Sequence, residues 1–556
     1  MVALKPRGTS PGLPPWRLGT TLWALLAGAI ALLMAVPVLA ILVAATAETG
    51  EVWEHLAATV LPAYIGNSLA LMLGVGSGVI VLGTATAWLV ACCDFPGRSG
   101  FSALLMLPLA APAYLLAYTY TELLDFYGPV QSTLRQLLGW GARDYWFPPI
   151  RSLGGAIALF ILVLYPYVYL LVRVAFREQS ARTLEASRTL GCGPWGSFFR
   201  VALPLARPAI VAGAALALME TLSDFGAVAY FGLPTFTTGI YRTWLGMGER
   251  LAAAQLAACL LGFIALLLVL ERVSRHQARF HQPATTTQAR YPLQGWAASL
   301  AMVTCTVPVL LGFALPTGLL VYLVLRAPQQ LWRPEFLRAG YHSLLLAGLT
   351  AILGVLLAAI IAYGQRVQPS WFLHGSAQVA SLGYAVPGTA IAVGVMVPLG
   401  RLDNAIAAWV ERWFGIAPGL LLSGTIAALI FAYLVRFLAV AYNGLTASLS
   451  RIPTHLDEAA RSLGQGPTGV LRLVHVPLLR GGLIAAAMLV FVDVMKELPA
   501  TLVVRPFNFN TLAVLVYRYA SDERLPEAAV PALAIILVGL FPTLVLNARA
   551  QQAERD

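Results

Sequence analysis

Apolar runs of membrane-crossing length recur along the 556-residue chain, separated by short polar punctuation. A helix needs about 20 apolar residues to cross a bilayer. Twelve such runs can be read, near 19–44, 65–92, 101–121, 152–177, 205–231, 251–271, 295–324, 342–365, 374–398, 419–446, 480–504 and 527–548. The pattern predicts an all-α, polytopic membrane protein of about twelve transmembrane helices. The first run exceeds the ~7–15 residues of a signal-peptide apolar region, so it is expected to remain as an anchor.

Composition supports this class: 59% of residues are hydrophobic and 11% charged, against roughly 25% charged in soluble domains. Mean hydropathy is +0.77. The charges are placed unevenly. Lys5, Arg7 and Arg17 precede the first run, and Glu48, Glu51 and Glu54 follow it. Basic residues favour the cytoplasmic side, which puts the N-terminus inside. The same parity holds for Arg173, Arg177, Arg182, Arg188 and Arg200 after run four. It holds again for Arg272, Arg275, Arg279 and Arg290 after run six, and for Arg451, Arg461 and Arg472 after run ten. An even number of spans returns the C-terminus to the cytoplasm. The outer loops are mixed in sign, with Arg326, Arg333 and Arg338 in one of them. The net charge of +11 reads as this asymmetry. No dense basic patch points to nucleic acid, and the expected partner surface is the lipid bilayer. The cysteines, Cys92, Cys93, Cys192, Cys259 and Cys305, lack zinc spacing and read as small packing residues.

A polar phrase interrupts the apolar text twice. Residues 185–194 read EASRTLGCGP and residues 458–467 read EAARSLGQGP. Glu185 and Glu458 lie 273 positions apart (458 − 185 = 273), and Gly191, Gly193, Pro194, Gly196, Pro204 and Arg207 recur at the same offset. Asn67-Ser68-Leu69 is echoed by His342-Ser343-Leu344, and Tyr241-Arg242 by Tyr517-Arg518. Internal repeats are common in transporters. Both copies follow an even number of spans, so the halves are expected to be parallel, pseudo-symmetric six-helix repeats. They would cover 1–271 and 295–556, joined by the polar cytoplasmic stretch 272–294.

The repeated loops, 180–204 and 453–477, share a plan. Thr454 followed by Asp457 suggests a capping box at a helix start. Gly464 suits a helix-ending left-handed turn, and Pro467 suits the first position of a second, short helix that ends at Pro477. That short helix carries Val470, Leu471, Leu473 and Val474, and its counterpart carries Phe198, Phe199 and Val201. Apolar surface on a cytoplasmic loop implies a partner. Both loops also match G-x-G-x-x-G, but a helix precedes and a span follows, so the dinucleotide-binding context is absent. The chain's two lysines, Lys5 and Lys496, lie in no Gly-Lys-Ser/Thr sequence. A phosphate-binding ATPase loop therefore cannot be formed here.

The duplicated loop resembles the cytoplasmic EAA loop of ATP-binding-cassette importer permeases. That resemblance implies the type I importer permease fold and a coupling helix that docks on a separate ATPase. The residues implicated are Glu185, Ala186, Gly191, Gly193, Pro194 and Phe198, with Glu458, Ala459, Gly464, Gly466, Pro467 and Leu471. With two halves in one chain, two ATPase copies are implied. ATP and magnesium would be bound by them, and no cofactor by this chain, which is expected not to be an enzyme.

Ionisable residues inside spans are functional suspects. Run five carries Glu220 and Asp224, which helical spacing would put on one face, where two acids repel. Run eleven carries Asp493, Lys496 and Glu497. An ion pair closing the halves and direct contact with a transported ion are both compatible with this set. Tyr118, Glu122 and Asp125, with Tyr114, Tyr120 and Tyr127, gather near the end of run three, as an interfacial aromatic belt or as a vestibule for a hard cation. No certain metal site is readable. AYLLAYTYTELLDFYGPVQSTLR (113–135), METLSDFGAVAYFG (219–232), GIYRTW (239–244) and MKELPATLVVRPFNFNTLAV (495–514) resemble the fused, two-domain ferric-iron permeases of bacterial inner membranes. The resemblance extends over about 19–549. It implies a periplasmic ferric-iron-binding protein docking on outer loops, including 233–250 and 505–526. Thiamine and phosphonate permeases share the loops, and a gradient-driven secondary transporter using Glu220 and Lys496 is the rival mechanism.

Overall fold

A computed structural model describes residues 15–47, 51–178, 189–191, 193–276, 290–416 and 418–552. Among them, eleven helices are long and apolar enough to cross a bilayer, and a bent pair of helices adds a twelfth if the two cross as one span. The all-α, polytopic expectation holds. Extended structure among the described residues is confined to Cys93–Asp94 paired in parallel with Tyr291–Pro292. That pairing fastens the end of the linker region to the end of the second span. The chain folds into two compact units. One takes in Met1–Leu39, Leu346–Tyr384 and Ile430–Val494, and the other takes in Ala40–Leu345, Ala385–Leu429 and Met495–Asp556.

Two expected spans are broken. Run three divides into Arg98–Ala110 and Ala113–Leu138, which meet at 91°. Pro112 stands at the break with φ −58° and ψ 145°, opening the second helix. Ala111 before it is extended, as proline requires of its predecessor. The same device recurs 275 positions on (387 − 112 = 275), where Pro387 has φ −56° and ψ 143° and opens Gly388–Phe414. A shorter helix, Trp371–Ser381, precedes it. Carbonyls freed by the first break find donors on span four. Tyr165 Oη donates to Leu105 O at 2.9 Å, and Tyr169 Oη and Arg173 Nη1 both donate to Ser102 O at 3.1 Å. Within a bilayer no water would satisfy them.

Spans five and eleven begin earlier than their apolar runs, as Trp195–Ser223 and Pro467–Met495. Each contains a π turn: the N–H of Leu203 reaches back five residues to Phe198 O, and that of Val476 to Leu471 O. Leu315 does the same to Leu310 O in span seven. A proline follows at once in all three places, Pro204, Pro477 and Pro316. Proline has no amide donor and crowds the carbonyl four residues back. Widening the preceding turn by one residue accommodates it. The short helix expected to stop at Pro477 therefore runs on into the span.

Spans two, four and five approach closely at glycine. A Cβ on Gly83 would lie 2.7 Å from Val168 Cβ and 2.9 Å from Tyr165 O, and one on Gly213 2.7 Å from Val168 Cα. Small residues permit the backbone proximity on which helix association in lipid depends.

Candidate functional site

Two regions carry the candidate chemistry: the repeated loops and a path leading in from the cavity at residues 121–128. Glu185 and Ala186 lie outside the described residues. Of the first loop, residues 189–191 and 193–204 are described, and Gly191 has φ +85°. Pro194–Ser197 is helical, with Gly193 exposed just before it. Phe198 packs edge-on to Trp88 at 4.9 Å and lies 6.5 Å from Phe176. Trp195 and Phe199 stack on each other at 6.2 Å and are exposed.

The second loop is fully described. His455–Ser462 is a helix that ends on Gly464 at φ +82°. The N–H of Gly464 reaches Arg461 O at 2.9 Å and that of Gln465 reaches Ala460 O at 3.1 Å, the bonding of a left-handed helix stop. Gly466 is extended and precedes Pro467 at the first position of the next helix. Glu458, Ala459 and Gly464 are exposed, and Leu471 is half-buried. Leu463 and Leu473 offer exposed apolar surface, whereas Val470 is buried.

The capping box expected at Thr454 is not formed, because Thr454 makes no side-chain cap. Asp457 turns inward instead. Its Oδ2 accepts from Arg366 Nε at 2.7 Å, and its Oδ1 lies 2.9 Å from His475 Nε2. Charge-assisted bonds to a guanidinium are stronger than a bond to one amide, so the arginine wins the carboxylate. Arg366 and His475 carry no motif and were not foreseen. In sequence Arg366 is one more basic residue at an inner span end.

The path begins at a cavity of about 250 Å³ lined by Glu122, Asp125, Tyr127, Arg151, Tyr230 and Glu523 among others. Glu122, Asp125 and Tyr127 are exposed there. Arg151 Nη2 lies 3.5 Å from Glu523 Oε1, and its guanidinium covers the Tyr230 ring at 4.9 Å. Three acids against one arginine leave the mouth negative. Inward, Tyr230 meets Tyr118 at 4.5 Å, and Tyr118 meets Tyr114 at 5.9 Å. Both inner tyrosines are buried, and neither hydroxyl has a hydrogen-bond partner among the described residues. The tyrosines grouped at one span end therefore part company. Tyr114 and Tyr118 lie deep, Tyr120 donates to Leu311 O at 2.5 Å, and Tyr127 lines the mouth.

Next to Tyr114 lies Gly226, where an added Cβ would meet Tyr114 Cβ at 2.7 Å and Leu498 Cδ2 at 2.9 Å. These two contacts bring together the starts of two short helices, Gly226–Tyr230 and Pro499–Val504. Asp224 lies beyond its span helix, which ends at Ser223. Its N–H still bonds to Glu220 O at 3.0 Å, so the two acids stay neighbours one turn apart and the expected repulsion between them persists. Glu220 sits half-buried in the last turn of Leu203–Ser223. Asp493 is half-buried near the end of span eleven, Lys496 stands in the break after Met495, and Glu497 is buried. Among the described residues no group of three His, Cys, Asp or Glu side chains is placed to hold a metal ion.

The segments that follow are built alike. Thr235 and Thr238 form a capping box for Phe236–Tyr241, and Thr511 caps Leu512–Ser521. Phe225 contacts Tyr241 at 4.6 Å and Tyr517 at 5.8 Å. Burial pushes the Tyr241 phenol up and holds the Arg505 guanidinium below its ordinary range; the charge of Arg505 partly offsets the first effect.

Eleven membrane-length helices among the described residues, two glycine-stopped loops running into such helices, and an acid-mouthed path define a multi-pass membrane transport permease. The chain belongs to the binding-protein-dependent transport system inner membrane components, a family that matches residues 16–280. Molybdenum transport system permease protein ModB of Escherichia coli is 30% identical over 38% of this chain and 92% of its own length. Sulfate transport system permease protein CysT of Escherichia coli is 33% identical over 36% of this chain and 70% of its own. Fe(3+)-transport system permease protein FbpB 2 of Haemophilus influenzae is 27% identical over 87% of this chain and 89% of its own. The chain is thus related to permeases of ATP-binding-cassette importers.

Proposed function

We propose that this permease carries ferric iron into the cytoplasm, receiving it from a periplasmic iron-binding protein. The observation that carries the choice of cargo is the negative mouth. Glu122, Asp125 and Glu523 outnumber Arg151 there, which opposes an oxyanion such as molybdate or sulfate and attracts a cation. Phenol and carboxylate oxygens, which line this path, suit a hard cation. The relative named for Fe(3+) transport also matches both halves, whereas ModB and CysT match little more than a third of the chain.

In this reading the chain does no covalent chemistry. Each half, 1–271 and 295–556, presents one inner loop to one of two ATPase subunits, which hold ATP and magnesium. The termini face the cytoplasm across the inner membrane. Closure of the ATPase pair moves the coupling segments at 194–203 and 467–476, and the spans follow to open the path outward. Glu220, Asp224, Lys496 and Glu497 border the segments that must part for an ion to pass.

The test is uptake into proteoliposomes containing the chain, its ATPase and its binding protein. Iron should accumulate only with ATP and both partners, and molybdate should not compete. Uptake by the chain alone would instead favour the gradient-driven mechanism, and molybdate uptake would remove iron as the cargo.

A further inference from the structure

Arg366, at the inner end of span eight (Pro334–Val367), gathers the second loop around itself. Its Nε and Nη2 hold Asp457 at 2.7 and 3.3 Å. Its Nη1 donates to Leu449 O at 2.8 Å, and Nη2 to Ile452 O at 2.8 Å. Leu449 is the last residue of the helix Ile426–Leu449, which is span ten, and Ile452 lies three residues past it. A planar guanidinium can serve a carboxylate and a helix end at once, which a lysine cannot. From the other side, His475 sits fully buried in the π turn of span eleven, its Nε2 2.9 Å from the same carboxylate but not in hydrogen-bonding geometry. Tyr363 Oη, one turn before Arg366, donates to Pro467 O at 2.6 Å at the start of the coupling helix. Tyr442 of span ten donates to Gln365 at 2.6 Å.

The first half lacks the groups to build this. At the matching offsets Arg366 corresponds to Ala91 (366 − 91 = 275), Asp457 to Leu184 (457 − 184 = 273) and His475 to Ala202 (475 − 202 = 273). Tyr363 corresponds to Trp88 at the first of these offsets, and there the contact with the loop is the ring packing of Trp88 on Phe198. The second repeat thus carries a charged, hydrogen-bonded joint at positions whose counterparts in the first are apolar by sequence. Buried ion pairs commonly add little stability over apolar residues of like volume. A triad of three charged or titratable residues at one repeat alone therefore calls for a role besides stability.

We propose that Asp457, gripped by Arg366 and backed by the buried His475, is a positioning residue for transport. It locks the second coupling loop to the inner ends of spans eight and ten, so that this loop drives the membrane stroke while the first loop follows by packing. The two ATPase subunits then meet unequal sockets. This rests on the importer reading above.

The experiment uses the whole complex in proteoliposomes and reads ATP hydrolysis with and without loaded binding protein. The triple variant Arg366→Ala, Asp457→Leu, His475→Ala installs the first half's residues and leaves no unpaired charge. It should insert, retain the ATPase and keep basal hydrolysis, while stimulation by loaded binding protein falls about tenfold, within the usual range of coupling energies. Arg366→Lys keeps the charge but not the fork and should lose about threefold. Trp88→Leu, the first-half counterpart, should lose less than either. Stimulation within twofold of the wild type in the triple variant overturns the proposal. So does full stimulation in Arg366→Lys, which decides the matter should the triple variant fail to insert. So does a loss in Trp88→Leu equal to that of the triple variant. If the wild-type complex itself fails to bind an ATPase or to be stimulated, the importer reading falls and the proposal with it.

Discussion

Asp224 and Glu497, 273 positions apart, hold the same bond. Asp224 Oδ1 accepts from the N–H of Ala227 at 2.9 Å, and Glu497 Oε1 accepts from the N–H of Ala500 at 2.9 Å. Each carboxylate sits just past the end of a long span and caps the short helix that follows, where unsatisfied amides and the helix dipole favour an anion. Asp224 takes a second bond from Val228 at 3.2 Å.

Removing either cap should loosen the pair of short helices beside Tyr114. Asp224→Ala and Glu497→Ala are each expected to cost about 1 kcal/mol, the usual value of a lost cap. Asp224→Asn should retain most of it. Thermal unfolding in detergent reads both, and an Ala variant as stable as the parent would deny the capping role.

Gly464 stops the loop helix at φ +82°. Valine there is expected to cost roughly 1–3 kcal/mol, because a β-branched residue is strained in that region. The corner should open without disturbing membrane insertion. Co-purification of the ATPase should fall several-fold, and an undiminished yield would mean that the coupling segment lies elsewhere.

Glu220→Gln should impair iron uptake more than assembly, since the residue sits at the last turn of span five, next to the break at Asp224. Uptake normalised to the amount of assembled complex is the measurement. Wild-type uptake would take Glu220 out of the path.

Asp403 anchors residues 421–423 to the helix Gly388–Phe414. It is buried and accepts from the N–H groups of Leu421, Leu422 and Ser423 at 3.2, 2.8 and 2.7 Å, as well as from the Ser423 hydroxyl. Asp403→Ala leaves three amides without this partner, of which only that of Ser423 lies in a buried residue, and should cost about 1–2 kcal/mol. Hydrogen exchange at those amides should accelerate, and unchanged protection would refute the anchor.

The spans and the doubled loop were legible in the sequence for physical reasons. Bilayer thickness imposes a run length, and glycine before proline marks a helix stop followed by a helix start. The breaks at Pro112 and Pro387 were hidden because the residues on both sides stay apolar, and hydropathy does not register direction. Asp224 and Glu497 read as charges within spans, since composition alone does not say where a helix ends. Asp457 was misassigned because its partner Arg366 lies 91 residues away (457 − 366 = 91), beyond any local pattern.

The widened turns at Phe198–Ala202 and Leu471–His475 bear on how scanning data will read. A helical wheel drawn at 100° per residue through Pro467–Met495 slips by one position at that turn. Faces assigned above it do not continue below it. Cysteine-accessibility or alanine-scanning profiles of either segment should show two separate phases, joined at the proline.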